Sequence, residues 1–194
     1  MNKLDIYFVS VGGQGALTVC AVIAEAAADF GVPVVHVATK GMAQRGGAVC
    51  EQMRIGREDV SPVISPGKAD MAVSMEISES FKAIRFLKPG GTFVLLPLIW
   101  RPAAVMLGKA AYPALEELRE EAEKNRIKLL VLNPSLPLFG AKPVKENIYL
   151  LGALSSTELG SIIPAESLRN CIRRKWPKAE DANMFAFNEG AAAL

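Results

Sequence analysis

Two short segments carry the residue types and spacing best suited to hold an anion. Val11-Gly12-Gly13-Gln14-Gly15 follows an apolar run and precedes a helical pattern. Glycines in that place let backbone N–H groups approach a ligand closely, and the start of the following helix adds partial positive charge. The second segment, Thr39-Lys40-Gly41-Met42-Ala43-Gln44-Arg45-Gly46-Gly47, frames one Arg and one Gln with three glycines, and a Lys precedes them. A backbone that bends sharply there exposes the guanidinium, a planar donor suited to carboxylate or phosphate. Each segment also has a plainer reading. The first can be a turn that lets a helix pack on a sheet, and the second a polar hairpin connection between two strands.

Several familiar chemistries are excluded. A dinucleotide fingerprint needs G-x-G-x-x-G and an acidic residue near the end of the second strand. Ser10 stands where the first glycine belongs, and Val37-Ala38-Thr39-Lys40 offers no acid for a ribose. The single histidine, His36, sits in a valine-rich strand and reads as a strand residue rather than a base. No G-x-S-x-G, Walker P-loop or H-E-x-x-H occurs. Cys20, Cys50 and Cys171 are widely spaced and form no C-x-x-C pair, so the expectation is three buried free thiols with neither a structural zinc nor an iron–sulfur cluster. The carboxylates fall mostly on helical faces. The chain by itself therefore shows no catalytic residue.

The elements that must position the two loops follow from periodicity. Leu4 to Val11 reads as a buried strand, Ala16 to Phe30 as a helix apolar almost all round, and Pro33 to Val37 as a second strand after the stop at Gly31. Strand, glycine turn, helix and strand make a βαβ unit with a right-handed crossover. Further strands are expected at Gly46 to Ile55, Asp70 to Met75, Thr92 to Leu96 and Ile127 to Leu132. Ile77, Phe81, Ile84 and Leu87 recur at helical spacing until Lys88-Pro89-Gly90-Gly91. Pro113 opens another helix, with Leu115, Leu118 and Ala122 on one face. The tail reads as helices from Glu146 to Ser156 and from Pro164 to Lys175, with Arg173, Arg174 and Lys175 forming a solvated basic end that complements the helix dipole.

This pattern predicts an α/β fold: a three-layer α/β/α, Rossmann-like arrangement with a mostly parallel sheet, and a single domain over residues 1–194. The chain has 194 residues, 51% of them hydrophobic, which suffices for one core. Lys+Arg 22 against Asp+Glu 20, interspersed, gives no basic face for a nucleic acid. The apolar run from Thr92 to Trp100 is about half the ~20 residues a membrane span needs. A cytoplasmic location is expected.

Taken together, the loops Val11-Gly12-Gly13-Gln14-Gly15 and Gly41-Met42-Ala43-Gln44-Arg45-Gly46-Gly47 resemble the gamma-type domain of the 2-oxoacid:ferredoxin oxidoreductase family. The form with Met-Ala-Gln before Arg-Gly-Gly is most similar to the beta subunit of its indolepyruvate-using members. Further matches are Ser61-Pro62-Val63-Ile64, Gly67-Lys68-Ala69-Asp70, Leu87-Lys88-Pro89-Gly90-Gly91-Thr92, Asn147 with Leu151-Gly152-Ala153, and the terminal Asn183, Phe187 and Gly190. The resemblance covers nearly the whole chain. Ser10 departs from the usual glycine at the head of the first loop.

The resemblance implies a subunit that is inactive alone. Its complex would oxidatively decarboxylate a 2-oxoacid, such as indolepyruvate, to acyl-coenzyme A and CO2, passing two electrons to ferredoxin. Thiamine diphosphate and 4Fe–4S clusters would lie on a large alpha subunit, and coenzyme A would be a co-substrate. It further implies that Gly12, Gly13, Gln14, Gly15, Lys40, Gly41, Met42, Gln44, Arg45, Gly46 and Gly47 face the partner's substrate or coenzyme A, with Lys40 attracting a phosphate as a point charge. The alternative is a stand-alone nucleotide- or anion-binding module, or a scaffold, without catalytic activity. Phe139, Trp100 and Trp176, each near a proline, are the aromatic candidates for a subunit interface.

Overall fold

A computed structural model describes residues 3–40 and 47–194 of the chain. Its centre is a six-stranded sheet in the order β2-β3-β1-β4-β5-β6. The strands are β1 (Leu4–Val11), β2 (Val34–Lys40), β3 (Ala48–Ile55), β4 (Ala69–Ser74), β5 (Leu87–Leu95) and β6 (Lys128–Val131). β1, β4, β5 and β6 pair in parallel, whereas β3 runs antiparallel to both β1 and β2. The sheet is thus mostly parallel, as expected, with one reversed strand inserted between the two strands of the predicted βαβ unit. The insertion arises because β2 continues directly into a β2–β3 antiparallel pair, a form that a short connection permits and a parallel pair does not.

Alternating residues feed two apolar clusters, one on each face. Ile6 and Phe8 of β1 join Val94 of β5 beneath α1 (Ala16–Asp29), α5 (Glu146–Ser155), α6 (Ala165–Lys175) and α7 (Glu180–Ala191). Tyr7 and Val9 join Phe93 and Leu95 beneath α2 (Ile77–Ile84) and α4 (Leu115–Lys124). Each fully buried side chain of this size contributes roughly 1.5–3 kcal/mol. That is why β1, buried along its entire length, reads as an apolar run interrupted only by Asp5 and Ser10. A short helix, α3 (Ala103–Met106), and a two-residue-strand hairpin, β7 (Leu138–Phe139) and β8 (Lys142–Pro143), decorate this frame.

Four expectations need correction. The helix α2 stops at Ile84, and Leu87 already belongs to β5; the strand pairs Ala69 with Leu87 and then Met71 with Thr92, so Lys88-Pro89-Gly90-Gly91 is a bulge within the strand rather than a helix end. The last helix, α7, has no counterpart among the expected elements. It packs against α5, and its apolar residues are distributed around the helix rather than along one stripe. The basic end of α6 is ion-paired as well as solvated: Arg174 meets Asp29 and, at 3.3 Å, Glu25, Lys175 meets Glu25 at 2.5 Å, and Arg173 meets Glu166 at 2.7 Å. Finally, Cys20 and Cys171 are buried but Cys50 is only half-buried.

Close backbone packing of α5 on α7 rests on two glycines. A Cβ at Gly152 would lie 2.0 Å from the Phe187 carbonyl oxygen, and one at Gly190 would lie 1.9 Å from that of Tyr149. No larger residue fits either position without separating the helices.

Two buried acids are held by donors. Asp5 in β1 accepts from Arg54 Nε (3.2 Å), Arg54 NH2 (2.9 Å) and Arg57 Nε (2.9 Å). Glu76 caps α2: its Oε2 accepts from the Glu79 N–H at 2.8 Å and the Ser78 hydroxyl at 2.7 Å, and its Oε1 from the Tyr112 hydroxyl and the Trp100 N–H.

Candidate functional site

The first glycine loop forms one wall of a cavity of about 430 Å³. The wall follows β1 at its carboxyl end, the position where open α/β sheets gather ligands. Gly13, Gln14, Gly15 and Thr18 line it from one side; Lys145, Glu146, Asn147 and Ile148 from the start of α5; and Trp176, Ala179 and Asn183 from the C-terminal segment. Two helix N-termini therefore meet there, those of α1 and α5. α1 has no acidic residue in its first turn, so its partial positive charge stands uncancelled, while Glu146 partly offsets that of α5. Lys145, exposed, adds the one full positive charge of this lining among the described residues.

Gly15 explains why the loop must be glycine there. It caps α1 with φ 87°, and a Cβ would come 2.7 Å from Asn147 Nδ2. A side chain would suffer left-handed strain and displace the start of α5 together.

The predicted residues divide by role. Gln14 is buried with both ends of its amide engaged: Oε1 accepts from the Val11 N–H and Nε2 donates to the Met75 carbonyl, each at 2.8 Å. Its side chain clamps the loop to the end of β4 and does not project into the cavity as a ligand-binding amide. The Gly12 N–H donates to the Gly47 carbonyl at 3.1 Å, so the two glycine loops are joined by the main chain. Lys40 ends β2 opposite Val49, at the same end of the sheet. Gly41, Met42, Gln44, Arg45 and Gly46 lie outside the described residues.

Sequence reasoning misses the opposite wall. Lys145, Trp176 and Asn183 come from segments remote from the glycine loops, and no local spacing connects them. Asn147 and Asn183 enter the sequence reading only as points of resemblance, and Trp176 as an interface aromatic. Of the other two aromatics, Trp100 and Phe139 are exposed; Trp100 stands with Ile99, Met106 and Leu107, all exposed, on the segment between β5 and α4, and Phe139 stands beside exposed Leu138. Among the described residues no helix is long and apolar enough to cross a membrane.

Residues 5–193 match the family described as pyruvate ferredoxin/flavodoxin oxidoreductase. The chain is 35% identical over 196 residues to a protein of Pyrococcus horikoshii named indolepyruvate oxidoreductase subunit IorB, covering 100% of this chain and 96% of that one. Its fold is similar to the crystal structure of pyruvate oxidoreductase subunit PORC from Thermotoga maritima, with a TM-score of 0.73, 22% identity, and coverage of 100% and 97%. It is also similar to a 2-oxoglutarate:ferredoxin oxidoreductase from Magnetococcus marinus with 2-oxoglutarate, coenzyme A and succinyl-CoA bound. There the TM-score is 0.64 at 23% identity, and this chain, covered in full, spans 31% of that longer one.

Proposed function

The chain belongs to the pyruvate ferredoxin/flavodoxin oxidoreductase family, and from that premise we propose that it is the small subunit of a 2-oxoacid:ferredoxin oxidoreductase acting on an aryl pyruvate such as indolepyruvate. The reaction converts 2-oxoacid and coenzyme A to acyl-coenzyme A and CO2, with two electrons passed to ferredoxin. Full-length identity to an indolepyruvate oxidoreductase subunit carries this reading.

A 4Fe–4S cluster takes four thiolates, and the chain has three cysteines, of which Cys20 and Cys171 are buried on different helices. The residues present do not fit such a cluster. The clusters are therefore assigned to a large alpha subunit, and the family resemblance assigns thiamine diphosphate to it as well, in a cytoplasmic complex. The exposed apolar residues Ile99, Trp100, Met106 and Leu107 suit the docking face for that subunit, since a stable interface buries on the order of 1,600 Å² and needs an apolar centre.

The chain's own contribution is orientation and charge. Gly13, Gly15, the uncancelled start of α1 and Lys145 border one cavity, which suits a phosphate of coenzyme A or a carboxylate of the substrate. Lys40, Gln44 and Arg45 would complete the set from the second loop. In the reconstituted complex, Lys145→Ala and Arg45→Ala are expected to raise the KM for coenzyme A several-fold while leaving the melting temperature of the purified chain unchanged. A loss of melting temperature with normal turnover would make these loops structural. A chain that binds nucleotides but recruits no thiamine-containing subunit would support the stand-alone anion-binding module instead.

A further inference from the structure

Three side chains that the oxidoreductase reading does not use converge between α1 and the edge of the sheet. Cys20 of α1, His36 of β2 and Glu51 of β3 each place one donor atom within 4.8 Å of the others. His36 Nε2 lies 2.9 Å from Glu51 Oε2. The β2–β3 register accounts for this proximity: Ala38 stands opposite Glu51, so His36, two residues earlier, is its diagonal neighbour on the same face. That face is the one β3 turns to the core, where Val49, Met53 and Ile55 flank Glu51 in a row of otherwise apolar residues.

Glu51 is wholly buried, and its Oε1 has no hydrogen-bond partner among the described residues. Leaving a buried polar atom unpaired is destabilising, the more so when it is charged. The arrangement leaves one carboxylate oxygen uncompensated beside a thiol and an imidazole. It is well suited to a cation that takes sulfur, nitrogen and oxygen together.

We propose that Cys20 Sγ, His36 Nε2 and the Glu51 carboxylate form a binding site for one divalent transition-metal ion, zinc by donor chemistry. Thiolate, imidazole and carboxylate are the three donor types zinc accepts. Binding displaces the Cys20 proton to solvent, and the ion with one thiolate and one carboxylate then carries no net charge, which suits a buried setting. The His36 side chain is about one quarter exposed, so the ion has an entry path and a fourth position open to water. The ion ties α1 to β2 and β3, next to the strand that ends at Lys40. The inference rests on these three residues alone and does not depend on the proposed function.

The test uses the full chain, stripped of metal with a chelator and titrated with zinc and separately with cobalt(II). The expected result is one equivalent bound, with a thiolate-to-cobalt charge-transfer absorption that disappears in Cys20→Ser. His36→Gln and Glu51→Gln should each weaken zinc binding more than the roughly 10–100-fold cost of disturbing an outer-shell contact. Cys171→Ser should leave both stoichiometry and absorption intact. If Cys20→Ser does not fold, the loss of zinc affinity in His36→Gln, altered at the most exposed of the three positions, tests the site instead. Absence of a charge-transfer band in the wild-type chain, or zinc affinity unchanged in His36→Gln, overturns the site.

Discussion

Glu76 and Glu51 are both carboxyl groups with no solvent exposure, yet they are equipped in opposite ways. Glu76 meets four donors from three segments: the first turn of α2, the Trp100 main chain and the Tyr112 phenol. Among the described residues, Glu51 meets His36 on one oxygen and has no hydrogen-bond partner on the other. A buried acid saturated by its own chain is a structural knot, because every contact that compensates its burial is already made. A buried acid left half-satisfied in an apolar row is tolerated by the fold without being completed by it. That asymmetry separates a polar residue kept for architecture from one kept for a ligand.

Making the same substitution at both sites puts the contrast at risk. Glu76→Gln is expected to lower stability by about 2–3 kcal/mol in urea denaturation, since charge-assisted bonds are lost and the new amide N–H groups face other donors. Equal tolerance at Glu76 would remove the distinction.

Tyr112→Phe, which deletes one of the four donors, should cost about 1–1.5 kcal/mol. Burial, then the hydrogen bond to Glu76, hold the Tyr112 phenol well above its usual ionisation range, and burial raises Tyr7 and Tyr149 also. The unfolded chain therefore loses the Tyr112 proton first as pH rises. The contribution is complete below about pH 10 and declines above it. An ultraviolet titration should show no tyrosinate near pH 10 while the chain stays folded.

Glu51→Gln in the metal-free chain should change stability by less than about 1 kcal/mol in either direction, because a half-compensated buried carboxylate is exchanged for a neutral amide. A large loss in the same denaturation experiment would class Glu51 with Glu76. The smallest effect belongs to an exposed control. Arg174→Ala, which removes the pairs to Glu25 and Asp29, should leave the denaturation midpoint almost unchanged, and the residual shift should vanish at high salt.

The frame of the fold is legible in the sequence wherever one residue pattern has one structural solution. The apolar run at β1, the glycine turn and the helix after it can be read directly, as can α4 from Leu115, Leu118 and Ala122. Placement across the chain cannot. The reversed β3 shares its alternation with any half-buried strand, and nothing local says which neighbour it takes. The bulge at Pro89 and Gly90 looks like a helix stop because the same residues serve both purposes. Of the candidate cavity, the glycine wall is evident, while the wall from Lys145, Asn147, Trp176 and Asn183 exists only through tertiary packing. Glu51 does leave a signal, as the single acid in the alternating row Val49, Glu51, Met53, Ile55, but without β2 beside it that signal points to no partner.

The contact of α7 on α5 through Gly152 and Gly190 has a consequence for the order in which the protein can be made. Asn183, on α7, and Gly13, after the first strand, border the same cavity, so the site cannot close before α7 has been made. A nascent chain emerging from the ribosome can assemble the parallel strands and α1, but it waits for its last helix before the glycine loop gains its opposite wall. Pairings so distant in sequence form late and slowly. The cavity becomes competent to meet a ligand only after α7 has been made and has packed on α5.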